Sequence, residues 1–344
     1  MSRPSHNGAG RRRLWIFVGV LSVVLAACSQ AGPYDSLAPA GPVAERQKSL
    51  FMVVFWIAVG VFVLVEGALV FAIFRFRQRR RDELPVQVHG NTRLEIIWTI
   101  IPALILAGVA IPTVGTIFQL AVGPPPGAME ITVTGHQWWW EVEYENENEG
   151  VVTANEVHIP VDEPVFLTLT SEDIIHSFWV PRLAGKQDLV PGKTEALTIQ
   201  ADEPGTYLGH CAEYCGLSHA NMRFIVVAET EEDFQAWVSG QRQAALEPTA
   251  DSEAAEGLEV FTTAGCIACH AIQGVEGAEQ EVGPDLTHFG SRRVLAGGIL
   301  ENTPDNVARW LDRPGDVKMG ARMRDYGLTD DQIEALVAYL ESLE

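Results

Sequence analysis

Residues 210–222 read HCAEYCGLSHANM, which sets Cys211, Cys215, His219 and Met222 on one short segment. Thiolates and thioethers are soft ligands that favour copper, zinc or iron–sulfur clusters, and imidazole suits copper and zinc. A structural zinc site is usually built from Cys and His alone, in a tetrahedron. A methionine at a fixed offset after Cys and His points to copper instead. A mononuclear blue copper needs one cysteine. Two on one loop also allow both thiolates to bridge a pair of copper ions, which spreads one electron over both metals and lets the geometry change little on reduction. A second copper then needs a second histidine from elsewhere, and His176, in SEDIIHSFWVP at the end of a predicted strand, is the candidate. Further along, Cys266-Ile267-Ala268-Cys269-His270 is a CxxCH motif. This is the attachment signal for c-type haem, with two thioethers from the thiols and iron ligation by the histidine. A lone CxxCH could also be a zinc or redox pair. The helix before it, GPDL at 283–286 and the last helix, ending in AYLESL, favour haem.

These side chains need a scaffold, and the chain supplies three different kinds. Two apolar runs, 50–74 and 96–120, are long enough to cross a bilayer, which takes about 20 apolar residues. Between them lies RFRQRRR at 75–81. Positive charge stays on the cytoplasmic side, so the pair reads as a hairpin with its loop inside and everything after residue 121 outside. Glu66 falls within the first run and is expected to face protein, as a neutral hydrogen-bonded contact between helices. Glu95 begins the second helix, where an acid complements the helix dipole. GPPPG at 123–127 is a stiff break. The runs MEITVTGHQWWWEVEYE, NEVHIPVDEPVFLTLTS, KTEALTIQ and MRFIVVAE then predict an antiparallel β-sandwich or barrel over 127–240, closed by a helix at TEEDFQAWVSGQRQA. Residues 241–254 read as a polar linker. From 255 to 344 the pattern is helical, and Thr329 is the expected N-cap of the last helix.

Ahead of the membrane runs, Arg11, Arg12 and Arg13 precede LWIFVGVLSVVLAA and Cys28. This is the layout of a secretory signal peptide over 1–27. Leu25-Ala26-Ala27-Cys28 resembles a bacterial lipoprotein signal, in which the cysteine becomes the lipidated first residue. The chain holds five cysteines in 344 residues, and with Cys28 lipidated each has a chemical role, so none remains for a structural disulfide. Its formal net charge of −21 argues against nucleic acid and suits a basic protein partner, although acidic surfaces also simply aid solubility.

Over residues 50–235 the sequence resembles subunit II of the haem–copper cytochrome c oxidases, through LEIIWTIIPALIL, GHQWWWEVEY, SEDIIHSFWVP, KQDLVPGKTE and HCAEYCGLSHANM. The resemblance implies a cupredoxin fold holding a binuclear CuA centre. In it His176 and His219 give one nitrogen each, Cys211 and Cys215 bridge, Met222 is a weak axial ligand, and Glu213 contributes its backbone carbonyl. It further implies a magnesium ion at the boundary with subunit I, reached by the Glu213 side chain and assisted by Asp188. Trp138, first of the three tryptophans, is implied as the point where an electron arrives from cytochrome c. Glu95 is implied as the mouth of a proton path into subunit I. His210, beside Cys211, is no part of that ligand set. His89, His136 and His158 are expected to be structural or surface residues, and Trp139 and Tyr207 packing residues.

The C-terminal part resembles a class I cytochrome c domain, which implies a methionine as sixth iron ligand. The family places it in an xMP step shortly before a helix start. Met323 in KMGARMRDYGLT matches better than Met319, although Arg324 stands where the proline is usual. Together the resemblances imply a caa-type oxidase subunit II: a two-helix membrane hairpin, an all-β cupredoxin-like domain and an all-α cytochrome c domain. It would be a multi-pass protein of a bacterial plasma membrane, with its C-terminal domains on the periplasmic side. It would pass electrons from a cytochrome bc complex or another cytochrome c-type donor, through haem c and CuA, to subunit I. Oxygen would be reduced to water there, with proton pumping. The alternatives are a CuA-containing nitric oxide reductase, a quinol oxidase subunit II, which would lack the copper ligands, and a zinc-binding structural lipoprotein.

Overall fold

Two long helices lead the chain into a β-sandwich and a small helical domain. The computed structural model describes residues 32–77, 90–121, 128–145 and 150–344, with isolated positions before and between them. The expected signal peptide with Cys28, most of the arginine-rich loop, His89 and the prolines of GPPPG lie outside the described residues.

Helix α1 (Pro42–Arg75) starts with proline in its first turn, where the missing N–H is not needed. Helix α2 (Thr92–Leu120) is capped by Asn91, whose side chain accepts from Arg93 N and Leu94 N. Both are long and apolar enough to cross a membrane. The described residues place the start of α1 before the apolar run, because its first turn packs on the β-domain. Val43 and Ala44 are buried, and Ala44 N donates to Leu183 O at 3.2 Å. Just upstream, Ala40 N donates to Arg182 O at 2.7 Å and Asp202 N to Ala40 O at 2.9 Å. The N-terminal end of α1 is thus stitched to the sandwich. Glu66 and Glu95 are both exposed on their helices within this chain.

The sandwich has ten strands: β1 (Met129–His136), β2 (Trp139–Tyr144), β3 (Val152–Ala154), β4 (Glu156–Pro160), β5 (Val165–Ser171), β6 (His176–Trp179), β7 (Gln187–Leu189), β8 (Glu195–Ile199), β9 (Gly205–Cys211) and β10 (Arg223–Glu229). One sheet runs β3-β2-β1-β5-β8 and the other β4-β10-β9-β6-β7. The expectation of a purely antiparallel sandwich needs correction. β1 pairs parallel with β5, and β4 with β10. In each pair the chain crosses the sandwich between the two strands, and a crossover can return a strand in the same direction. Alternation of apolar and polar residues gives each sheet one inner face. β5, VFLTLTS, buries Val165, Leu167 and Leu169 on that face. Trp140, Phe178 and Phe224 fill the centre in edge-on and stacked contacts. Helix α3 (Glu231–Gln241), capped by Thr230, closes the domain.

The last domain contains α4 (Glu253–Thr263), α5 (Pro304–Asp312), α6 (Pro314–Val317) and α7 (Asp330–Glu341). Thr329 and Gln332 form a reciprocal capping box at the start of α7. α4 crosses α7 at Gly257, where a Cβ would sit 2.0 Å from the Ala335 carbonyl oxygen. Only glycine allows so close a crossing. The domain also departs from all-α by a short hairpin, β11 (Val294–Leu295) and β12 (Leu300–Glu301), which faces the sandwich.

Candidate functional site

β6 and β9 are antiparallel neighbours with Phe178 opposite Cys211, so the start of one strand and the end of the other share one rim of the sheet. The segment after Cys211 folds back over that rim. Ala212 N donates to Ser177 O at 2.9 Å, and Cys211 N to Met222 O at 2.9 Å. A short turn of 3₁₀ helix, His219–Asn221, turns His219 inward. The two sulfurs come to 3.7 Å from each other. Cys215 Sγ lies 3.7 Å from His219 Nδ1 and 3.8 Å from Met222 Sδ. Cys211 Sγ lies 3.1 Å from the Glu213 carbonyl oxygen. Ligand atoms of His176, Cys211 and Cys215 fall within 4.8 Å of one another. All six expected copper ligands therefore converge on one buried point.

Two features favour metal over plain packing. His176 is fully buried, and its Nδ1 has no hydrogen-bond partner among the described residues. An unpaired buried nitrogen is costly and calls for a ligand. Its other nitrogen, Nε2, bonds Asp173 Oδ1 at 2.8 Å, which places the proton there and leaves Nδ1 a free lone pair. Burial works against the charge on Asp173, but bonds from His176, Ile174 N and Gln137 N outweigh it and hold the carboxyl below its ordinary range. Second, the sulfurs share a proton unequally. The hydrogen bond from Cys215 favours the Cys211 thiolate and holds that thiol well below its ordinary value, while the same bond and burial push the Cys215 thiol up. A cation between them would stabilise both thiolates at once.

Glu213 is half-exposed, and its carboxylate lies 4.0 Å from Lys186 Nζ. Asp188 sits in β7, opposite Ser177. Among the described residues these acids form no cation cluster of their own. His210 stands outside the ligand set, in an edge-on contact with Tyr34. His158 is buried between Glu156 and Glu229, stacked on Trp237. His136 stacks on Trp139.

Trp138 lies beside the sulfur pair. Its indole Nε1 donates to the Cys215 carbonyl at 2.8 Å, and Gln137 Nε2 to the same oxygen at 2.9 Å. The outer side of Trp138 meets the second site. A cavity of about 520 Å³ is lined by Cys266, Cys269, His270 and Met323 of the helical domain and by Gln137 and Trp138 of the sandwich. His270 Nδ1 bonds the Pro284 carbonyl at 2.8 Å, which leaves Nε2 for the cavity. Burial pulls the His270 imidazole below its ordinary value, toward the neutral form that can ligate iron. Gly283 leaves room for the ring, since a Cβ there would lie 2.6 Å from His270 Cε1. Met323 lines the cavity, whereas Met319 is 66% exposed and does not. Cysteines, histidine and methionine around an apolar cavity fit a covalently held haem.

From the sequence alone GPDL at 283–286 is a sign of haem, but no individual role falls to Gly283, Pro284, Asp173 or Gln137. Asp173 could have been flagged as a carboxylate three residues before a candidate ligand. The others act through backbone or through distant partners.

The comparisons with known proteins agree over most of the chain. Residues 36–115 match the transmembrane domain of cytochrome c oxidase subunit II, 150–229 its periplasmic domain, and 254–344 cytochrome c. The cytochrome c oxidase subunit 2 of Alkalihalophilus pseudofirmus is 40% identical over 94% of this chain and 95% of its own. That of Bacillus sp. strain PS3 is 37% identical over 98% and 99%. A quinol oxidase subunit 2 of Bacillus spizizenii is 35% identical but covers 62% of this chain and 68% of its own.

Proposed function

The chain belongs to the cytochrome c oxidase subunit II family, with a fused cytochrome c domain, and from that premise we propose that it takes in electrons for a respiratory oxidase and hands them to subunit I. Membership makes it a membrane protein and a component of an oxygen-reducing enzyme. The family also implies copper in the sandwich and haem in the C-terminal domain. The finer reading follows from the residues. The observation that carries it is the sulfur pair at 3.7 Å with an orphaned, buried imidazole nitrogen beside it.

In this reading Cys211, Cys215, His176, His219, Met222 and the Glu213 carbonyl would hold a pair of copper ions, the two thiolates shared between them and the imidazoles and thioether completing the donor set. Bound there, the copper pair accepts and passes on single electrons with little change of geometry. Asp173 orients His176. Trp140, Phe178 and Phe224, all fully buried, keep water out and hold the ligand rim rigid. Cys266 and Cys269 would attach the haem, and His270 and Met323, which line the same cavity, would ligate its iron. A methionine ligand raises the potential. Trp138 is where electrons cross to the copper domain. Fusion raises the effective concentration of donor beside acceptor, so diffusional docking does not limit this step.

The arginine-rich loop at 75–81 puts that loop inside and both soluble domains outside. That is also the side where a cytochrome bc complex or another cytochrome c-type donor would dock, and where Cys28 would be lipidated. Glu66 and Glu95, exposed within this chain, then face subunit I, Glu95 at the mouth of a proton path. Glu213 and Asp188 would help to hold a magnesium ion at the boundary with subunit I. Oxygen reduction to water and the proton pumping coupled to it take place in that partner.

The test is metal and optical analysis of the full chain, matured with haem and copper and purified in detergent. Two coppers per haem iron, a c-type spectrum and a mixed-valence copper signal lost in Cys215→Ser are expected. Zinc, or one copper with blue-copper features, overturns the assignment.

A further inference from the structure

Lys318, in the cytochrome domain, is only 4% exposed. A buried ammonium normally pairs with a carboxylate, yet no carboxylate pairs with Lys318 among the described residues. Its Nζ instead reaches across to the sandwich. It donates to the Trp138 carbonyl at 2.5 Å and, on its own side, to the Ala296 carbonyl at 3.0 Å. Burial brings the amine down to about 7. Two carbonyls are there to accept its N–H bonds.

The backbone closes around this contact. Arg223 N donates to Gly297 O at 2.8 Å, and Ser218 Oγ to Met319 O at 2.5 Å. A Cβ on Gly320 would stand 3.2 Å from the Trp138 ring and 3.1 Å from Leu217 Cβ. A Cβ on Gly298, whose φ is +75°, would stand 2.6 Å from the Arg223 backbone. At the rim, Arg293 N and Val294 N both donate to Glu156 Oε1, at 2.6 and 2.7 Å. Arg322 reaches Gln137 Oε1 at 2.7 Å. Two loops of the cytochrome domain are therefore shaped to sit against Trp138 and the metal-ligand segment, with one buried side chain tying them down.

We propose that Lys318 is the positioning residue for electron transfer between the two domains: by clasping the Trp138 carbonyl it holds Trp138 against the cytochrome domain. This rests on the reading of the copper and haem sites given above. The step it serves moves one electron. Iron goes from ferrous to ferric, the acceptor pair gains that electron, and no bond or proton changes hands. Its rate falls steeply with any gap across the seam, so a fixed contact matters. Because Gly320 packs on the ring edge of Trp138, the attached domain, and no soluble cytochrome, delivers electrons at Trp138.

The test uses the assembled oxidase carrying Lys318→Met, which keeps length but removes the donors, and Gly298→Val, which wedges the seam without touching Lys318. Three quantities are read: amide exchange in peptides containing Arg223 and Val294, the haem-to-copper transfer rate after flash reduction of the haem, and oxidation of a soluble cytochrome c. In both variants the seam amides exchange at least tenfold faster, interdomain transfer slows at least tenfold, and the soluble donor reacts faster than with the wild type. The haem and copper spectra stay unchanged. Unchanged exchange in Lys318→Met overturns the clasp. Faster exchange with unchanged transfer overturns its positioning role. Should Lys318→Met fail to assemble, Gly298→Val decides by the same two criteria. A wild-type oxidase lacking the two-copper signature would overturn the metal-site reading, while amide exchange would still judge the clasp.

Discussion

The residue that orients the proposed copper site is not itself an expected ligand. Asp173 holds His176 by Nε2, so the ligating nitrogen has one tautomer and one direction. Partners of this kind are typically worth 10–100-fold in metal affinity. Asp173→Asn should therefore weaken copper retention about 10–100-fold, measured by competition with a chelator. The fold should survive, since Asp173 stands outside the apolar core of the sandwich. The methionine assignment has an equally direct test. Met323 lines the haem cavity and Met319 is exposed. Met323→Leu should lower the midpoint potential of the haem in a redox titration, and Met319→Leu should leave it in place.

Helices and strands place these residues through contacts that local propensity does not encode. The crossing of α4 and α7 frames the haem cavity and depends on Gly257, which has no room for a methyl group. Gly257→Ala should destabilise the cytochrome domain by about 1–3 kcal/mol, the usual cost of overpacking, read as a lower midpoint in thermal unfolding followed at the haem. β4 and β10 carry another such device. His158 Nδ1 bonds Glu229 at 2.9 Å and its Nε2 lies 3.4 Å from Glu156. Burial lowers the His158 pKa, but the two carboxylates outweigh it, and the net direction is upward from 6.5. A raised folded-state value means that the protonated ring stabilises the fold. That contribution is complete below the unfolded value near 6.5 and is lost as pH rises through the folded one. Denaturant titrations should show stability falling with pH above that point, and the slope should flatten in His158→Gln. Both carboxylates also reach Arg293 of the cytochrome domain, Glu156 at its backbone N–H and Glu229 at its guanidinium.

At the scale of the molecule, membrane hairpin, sandwich and cytochrome domain form one line of contacts. The N-terminal end of α1 is hydrogen-bonded to the sandwich, and the sandwich to the hairpin of β11 and β12. The chain carries a formal net charge of −21. Under the proposed function such a charge would draw in a basic donor and speed its encounter, an effect that salt screens. Stopped-flow reduction by a basic cytochrome c should slow at least tenfold between 10 and 150 mM salt, with little change for a neutral small-molecule reductant, where these ionic strengths are on the order of those that separate weak from strong screening.

Much of this was legible in the residues themselves. Cys211, Cys215, His219 and Met222 lie on one segment, so a single loop brings them together whatever surrounds it, and CxxCH likewise needs only one turn. Length and hydropathy alone marked the two membrane helices, because a bilayer imposes a length that sequence must meet. Thr329 was a visible cap because capping is decided within one turn. What chain order could not disclose depends on partners far apart in sequence. The parallel pairing of β1 with β5 follows from how the sheets cross, which no strand states on its own. Asp173 became a support for His176 only once the rim of β6 fixed the ring's direction. Lys318 and Trp138 are 180 residues apart, and in the sequence Lys318 is one more basic residue in a polar loop. Its burial, its two carbonyl partners and the glycines that let two backbones meet there arise only when two separately folded domains close on each other. Local motifs thus named the chemistry, and tertiary contact decided which residues aim it.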